Sequence, residues 1–154
     1  EDRIIPDLIK SFKTNSKVKI RNPESVRPWQ HVLDPLSGYL LLGCRMNIDP
    51  KSFSDAYNFG PSLESNLTVL QLIEIALRIW GNGSYEISEN KNEPHEASQL
   101  RLDISKSMLQ LGWNPKWDSH KAVEKTILWY RNNLDKSISD FEMCLNDINN
   151  YQKS

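Results

Sequence analysis

The stretch Ile20-Arg21-Asn22-Pro23-Glu24-Ser25-Val26-Arg27-Pro28-Trp29-Gln30-His31-Val32-Leu33-Asp34-Pro35-Leu36-Ser37-Gly38-Tyr39 sets two arginines and a histidine beside a short apolar run, then opens a helix. Arg27 precedes Pro28, which biases its backbone toward an extended form and places its guanidinium ahead of Trp29 to Leu33, expected as a strand. A guanidinium can grip a phosphate with two parallel hydrogen bonds. Asp34 suits an N-cap with Pro35 at the first helical position, so a helix is expected to about Met46. Cations gathered beside a helix start describe a site for an anion.

Upstream, Ile5, Leu8, Ile9 and Phe12 recur at helical spacing, so Asp2 to Lys13 reads as a helix with Pro6 in its first turn. Val18-Lys19-Ile20 alternates as a short strand, and Gly38, Gly43 and Cys44 would let the Asp34 helix lie close against a sheet. Downstream, Ala56 to Pro61 is expected as a strand ending in a turn. Thr68 with Gln71 forms a capping box for a helix striped by Leu72, Ile73, Ala76, Leu77 and Trp80 and closed by Gly81. Ser84 to Ile87 and Gln99 to Leu102 read as two more strands, separated by the polar loop Ser88 to Pro94. A short helix over Ser105 to Leu111 stops at Gly112. Asp118 caps a long helix that turns Val123, Ile127, Tyr130 and Leu134 to one face. Ile138, Phe141, Leu145 and Ile148 give a weaker stripe, expected to pack a terminal helix on the body. Strands alternating with helices make the class α/β, organised as one unit over residues 1–134 with a helical tail over 135–154.

At 154 residues, 38% hydrophobic and 25% charged, the chain can bury the core of one globular domain. A net charge of -1 argues against bulk binding to nucleic acid or to an anionic membrane, so an anion site has to be local. No apolar run approaches the roughly 18 residues of a membrane span, since Tyr39 to Cys44 stops at Arg45. No secretory leader is read, and Cys44 and Cys144 lack metal-ligand spacing, so free thiols in a cytoplasmic protein are expected.

The chain lacks a glycine-rich loop between a strand and a helix, because Gly81 and Gly83 follow a helix instead. It also lacks a Tyr-x-x-x-Lys pair: four residues after Tyr39, Tyr57, Tyr85 and Tyr130 stand Gly43, Pro61, Glu89 and Leu134. His31, His95 and His120 have no partners at metal-binding spacing, and no residue order suggests a nucleophile. What remains is a set of binding candidates, led by Arg27 with Arg21 second. Asn58, between Tyr57 and Phe59, either faces a ligand or satisfies a neighbouring backbone. Pro94-His95-Glu96 ends a polar loop as a ligand contact or a plain turn. Arg101 points away from the face that Leu100 and Leu102 bury and by default is solvated. Trp80, Trp113, Trp117 and Trp129 are explained by packing, whereas Trp29 lies between Arg27 and His31.

Asp2-Arg3-Ile4-Ile5-Pro6-Asp7, Ile20-Arg21-Asn22-Pro23, Arg27-Pro28-Trp29-Gln30-His31-Val32, Leu36-Ser37-Gly38-Tyr39-Leu40, Tyr57-Asn58-Phe59-Gly60-Pro61, Pro94-His95-Glu96-Ala97, Leu102-Asp103-Ile104-Ser105-Lys106 and Leu111-Gly112-Trp113 follow one another in the chain. In that order they resemble the CDP-glucose 4,6-dehydratases of the extended short-chain dehydrogenase/reductase family. The resemblance implies a Rossmann-type enzyme whose N-terminal domain holds NAD and whose smaller C-terminal domain holds the nucleotide sugar. This chain resembles the second part, together with one helix and strand of the dinucleotide-side sheet over residues 34–60.

The ligand so implied is a CDP-sugar, with Arg27 on the diphosphate and Asn58 on the nucleotide sugar. His95 and Glu96 would close over the nucleotide, while Val18, Ile20 and Arg21 border the base. Where related dehydratases carry paired arginines, Ser98-Gln99 stands here and Arg101 is the nearby cation. The NAD loop and the acid/base residues belong to the family's other part, so the chain is not expected to be active alone, and a homo-oligomer is implied for the complete enzyme. On the same basis the isolated chain should expose an apolar face along the Asp34 to Met46 helix. The alternatives are another nucleotide-sugar epimerase or dehydratase, or a non-catalytic binding remnant.

Overall fold

A computed structural model describes residues 3–88, 98–134 and 136–154. Helix α1 (Ile4–Thr14) buries Leu8, Ile9 and Phe12 and is closed by Asn15 in the left-handed conformation. Strand β1 (Val18–Ile20) buries Val18 and Ile20 while Lys19 stays exposed, the period-two alternation of a half-buried strand.

Between them, two short ladders tie the first half of the chain to the second. β1 pairs in parallel with β4 (Tyr85–Ile87), Val18 opposite Tyr85 and Ile20 opposite Ile87. β2 (Val26–Arg27) runs antiparallel to β3 (Leu67–Thr68), Arg27 opposite Leu67. β3 leads directly into α4 (Val69–Trp80), where the Thr68 and Gln71 side chains cap each other's backbone N–H and Gly81 closes the helix at φ 97°. α5 (Ser119–Asn132) starts at Asp118, whose Oδ1 accepts from Lys121 N at 2.7 Å. Leu72, Ile73 and Ala76 of α4 meet Val123 and Ile127 of α5 in a cluster that also takes in α1 and β1.

Several expected elements take another form. Trp29 to Leu33 is no strand: Trp29 N donates to the Arg27 carbonyl at 2.9 Å and Leu33 N to His31 Nδ1 at 3.3 Å, so the chain turns after Pro28. Helix α2 (Leu33–Ile48) therefore begins before Pro35, and Asp34 lies inside it, fully buried, instead of capping it. Residues 56–61 form no strand, and a strand requires a ladder partner, which they lack among the described residues. The dinucleotide-side strand expected there is thus not formed. Phe59 instead joins Ile104, Leu111 and Trp113 in a second cluster. Gly38 is close-packed against that cluster and not against a sheet, because a Cβ at Gly38 would lie 2.3 Å from Phe59 Cδ1. Gly43 faces open space and Cys44 is exposed.

Gln99 to Leu102 reduces to a single parallel bridge from Gln99 to Val26. Most of the polar loop, residues 89–97, lies outside the described residues. Helix α3 (Pro50–Phe53) is one turn long, and Ser107–Leu111 winds as a wide π turn closed by Gly112 at φ 72°.

The last helix, α6 (Asp140–Lys153), does pack on the body, but through Met143 and Tyr151. Of the expected stripe, Phe141 is 75% and Leu145 43% exposed and Ile138 is exposed too, and none of the four is among the buried residues that hold the helix. Side chains four apart share one helical face, and here Met143, Asp147 and Tyr151 define it because polar partners wait on the body. Along α2, Leu36, Tyr39, Leu40 and Ile48 are exposed, forming the apolar face expected for that helix. Among the described residues no helix is long and apolar enough to cross a membrane.

Candidate functional site

An open cavity of about 1060 Å³ lies between the start of α1, β1, the turn after β2, α5 and α6. Pockets for organic ligands run from roughly 300 to 1,000 Å³, so this one can hold a molecule larger than a single sugar. Arg3, Lys19, Arg21 and Arg27 make it predominantly basic, and Trp29, Trp129 and Tyr130 supply aromatic surface.

Arg27 projects from the β2–β3 ladder and is half-buried; its Nη1 donates to the Val26 carbonyl at 2.9 Å. The turn that follows is fixed from three sides. Trp29 Nε1 donates to the Leu67 carbonyl at 3.1 Å, Ser119 Oγ to the Trp29 carbonyl at 2.6 Å, and Gln30 Nε2 to the Phe59 carbonyl at 2.9 Å. A guanidinium on a turn so tied enters a ligand contact with little of its backbone left to order. Arg21 lines the same cavity from the exposed end of β1, where Val18 and Ile20 also border it.

His31 lines the cavity too, yet it is no cation at neutral pH. Burial is the largest influence and lowers its pKa; Asp147 and Asp34 pull upward, and Lys125 adds to the lowering. Its Nδ1 accepts from Leu33 N, and its ring stands edge-on to Trp117 at 4.9 Å. A histidine held neutral in the fold stabilises it above the unfolded pKa of about 6.5, and that contribution is lost as pH falls through the lower folded value. Urea titrations from pH 7 to pH 5 should therefore show falling stability, and His31→Gln should flatten the trend. An unchanged slope in the variant would assign the acid sensitivity to another group.

Behind the cavity wall, Asp34 Oδ1 accepts from Lys116 N and from Tyr151 Oη, both at 2.8 Å. The Tyr151 phenol is pushed up to about 12, first by burial and further by Asp34, with the Ser37 hydrogen bond opposing. Asp34 Oδ2 is buried and has no hydrogen-bond partner among the described residues.

The other sequence candidates fall elsewhere. Asn58 does not line the cavity: its Nδ2 donates to the Asp103 carbonyl at 3.1 Å and its own carbonyl accepts from Ser107 Oγ, so its side chain satisfies a backbone. Arg101 is exposed and away from the cavity. His95 and Glu96 lie outside the described residues. Conversely, Trp129 lines the cavity although packing alone was expected of it, as do Cys144, Asp147 and Ile148 of α6. The available signal was Thr126, Trp129 and Tyr130 at helical spacing beside the buried Val123 and Ile127 stripe. Among the described residues no group of His, Cys, Asp and Glu could hold a metal ion.

The architecture is that of the C-terminal portion of an extended short-chain dehydrogenase/reductase. A UDP-glucose-4-epimerase from Stenotrophomonas maltophila, solved with NAD and formylated UDP-arabinopyranose, superposes with a TM-score of 0.70 at 18% identity, over 89% of this chain and 42% of that one. The dTDP-glucose 4,6-dehydratase of Bacillus anthracis, solved with NAD, gives 0.68 at 18% identity, over 87% and 40%. In sequence, the chain is 42% identical to CDP-glucose 4,6-dehydratase of Salmonella typhimurium over 131 residues, which is 85% of this chain. It spans 36% of that enzyme's length, and no family model matches it.

Proposed function

We propose that the chain is the nucleotide-sugar-binding part of a CDP-glucose 4,6-dehydratase. That lyase converts CDP-glucose to CDP-4-keto-6-deoxyglucose and water. Carbon 4 of the sugar is oxidised by NAD, water is eliminated across carbons 5 and 6, and the hydride returns to carbon 6, so NAD is regenerated. The observation that carries the proposal is the gathering of Arg21 and Arg27 with the β1 edge on one basic cavity large enough for a nucleotide sugar. The choice of CDP-glucose draws on the 42% identity to the Salmonella enzyme, against 29% to a dTDP-glucose 4,6-dehydratase of Actinoplanes.

In this role the chain binds and orients. Arg27 and Arg21 hold the diphosphate, and these distant contacts place the sugar carbons for reaction elsewhere. The residues described do not fit NAD: Gly83 follows α4, and a Cβ there would meet Leu77 and Phe12, so this glycine packs on the core and cradles no phosphate. With no Tyr-x-x-x-Lys in the sequence either, the redox and acid/base groups lie outside these 154 residues. The binding unit extends past residues 1–134, because the helical tail over 135–154 closes the cavity with Cys144, Asp147 and Ile148; the complete protein is a cytoplasmic enzyme that assembles as a homo-oligomer.

Calorimetric titration of the folded protein with CDP-glucose, UDP-glucose and dTDP-glucose tests this. CDP-glucose should bind at least tenfold more tightly than the other two. Equal affinities would move the protein to another nucleotide-sugar epimerase or dehydratase, and heat-silent titrations of a folded sample would end the proposal.

A further inference from the structure

Helix α6 contributes Cys144, Asp147 and Ile148 to the cavity that Arg21 and Arg27 line. Of these three only Asp147 offers a strong hydrogen-bond acceptor, since a thiol is weak and isoleucine has none. The carboxylate is held in place: Lys125 Nζ reaches its Oδ1 at 3.4 Å, and the two side chains are 19% and 18% exposed. Lys125 in turn sits over the Trp117 ring at 5.5 Å from its centre. A carboxylate has two oxygens and about four acceptor positions, so one contact to Lys125 leaves capacity for another donor.

Asp147 stands out because most charged side chains at the cavity are basic among the described residues. Toward a diphosphate a nearby carboxylate is repulsive and weakens binding. Asp7, the other acidic side chain at the cavity among the described residues, is exposed on the first turn of α1, where water screens it. Asp147 is mostly buried and shares its wall with His31, Thr126 and Trp129. Its useful partner is a hydrogen-bond donor on the uncharged part of the ligand.

We infer that Asp147 is a ligand-positioning residue that accepts a hydrogen bond from a neutral donor of the nucleotide sugar, and that α6 is therefore part of the binding site. This rests on the cavity being the nucleotide-sugar site. The donor is assigned to one of two ligand groups, the exocyclic amine of a cytosine base or a hydroxyl of the glucose, and not to a ribose hydroxyl, which CDP, UDP and CDP-glucose share. They can be told apart, because uracil carries a carbonyl where cytosine carries the amine.

The test titrates wild type and Asp147→Asn with CDP, UDP and CDP-glucose, with thermal melts confirming the fold. About tenfold weaker binding of CDP and CDP-glucose, with UDP unchanged or tighter, identifies the base amine as the donor. About tenfold weaker binding of CDP-glucose alone identifies a sugar hydroxyl. Unchanged affinities, or one uniform change across all three ligands, overturn the inference, since a general effect on the wall or on charge would act on all of them alike. Should the asparagine variant not fold, Asp147→Glu keeps the charge beside Lys125, moves the oxygens by one methylene, and should show the same ligand selectivity in its losses. If wild type binds none of the three, the nucleotide-sugar reading itself falls and takes this assignment with it. If wild type binds and only the variants are silent about selectivity, the reading stands and Asp147 is released from it.

Discussion

Asp34→Ala should cost about 1.5–4.5 kcal/mol of folding stability, because it takes the acceptor from one buried donor, at about 1–3 kcal/mol, and from one part-buried donor, at about 0.5–1.5 kcal/mol. Those donors are the Lys116 backbone N–H and the Tyr151 hydroxyl, which both end on Asp34 Oδ1. The network extends further: Ser37 Oγ lies 3.0 Å from the Tyr151 hydroxyl, donates to the Asp34 carbonyl and accepts from Trp113 Nε1 at 2.9 Å. One carboxylate thus joins α2, the Trp113 to Lys116 segment and α6. Tyr151→Phe removes the hydroxyl's bonds to Asp34 and Ser37 and, at about 0.5–1.5 kcal/mol for each bond, should cost about 1–3 kcal/mol. In the double variant the losses should fall short of their sum, as expected for groups in one network. Denaturant unfolding provides the numbers, and an Asp34→Ala loss under about 0.5 kcal/mol would mean that the network carries no stability.

Arg27→Ala should weaken CDP-glucose binding by about 1.5–3 kcal/mol, the range for a hydrogen bond to a charged group. Arg27→Lys should recover only part of it, because an ammonium cannot make the two parallel contacts of a guanidinium. The arginine sits on the β2–β3 ladder, opposite Leu67, and its Nη1 donates to the Val26 carbonyl, so thermal melts of each variant accompany the titrations to separate a binding loss from a folding loss. Calorimetry on both variants separates the outcomes. Full affinity in Arg27→Ala would remove this residue from the site and leave Arg21 as the remaining sequence candidate for the diphosphate.

The parts of the fold that were legible in the sequence are those whose causes are local. The Thr68 and Gln71 capping box, the Asp118 cap and the left-handed Gly81 and Gly112 closures each depend on residues within a few positions of one another. Asp34 shows where this stops. Next to Pro35 it has the chemistry of an N-cap, but the carboxylate is claimed by residues 82 and 117 positions away. Likewise, apolar spacing alone turned the tail by Ile138, Phe141, Leu145 and Ile148, whereas hydrogen bonds from Lys125 and to Asp34 select the face that carries Asp147 and Tyr151. Residues 56–61 have strand composition without a ladder partner among the described residues, and composition cannot supply one. The same distinction governs the cavity. Its floor from Val18 to Arg27 is contiguous in sequence, but the wall from Thr126 to Ile148 arrives only through packing of helices far along the chain.

The far end of α6 is tethered in an unusual way. Lys116 Nζ donates to the carbonyls of Tyr151, Gln152 and Ser154 at 3.0, 3.3 and 3.0 Å, the carbonyls that a helix normally leaves to solvent. Final helical turns usually fray, opening and closing with little free-energy cost. Here one ammonium clamps the turn, and the body answers any torque on it through Asp34 and Lys125 as well. The helix is thus braced like a beam held at its end and mid-span, so bending that would widen the cavity has to break contacts as far away as Lys116.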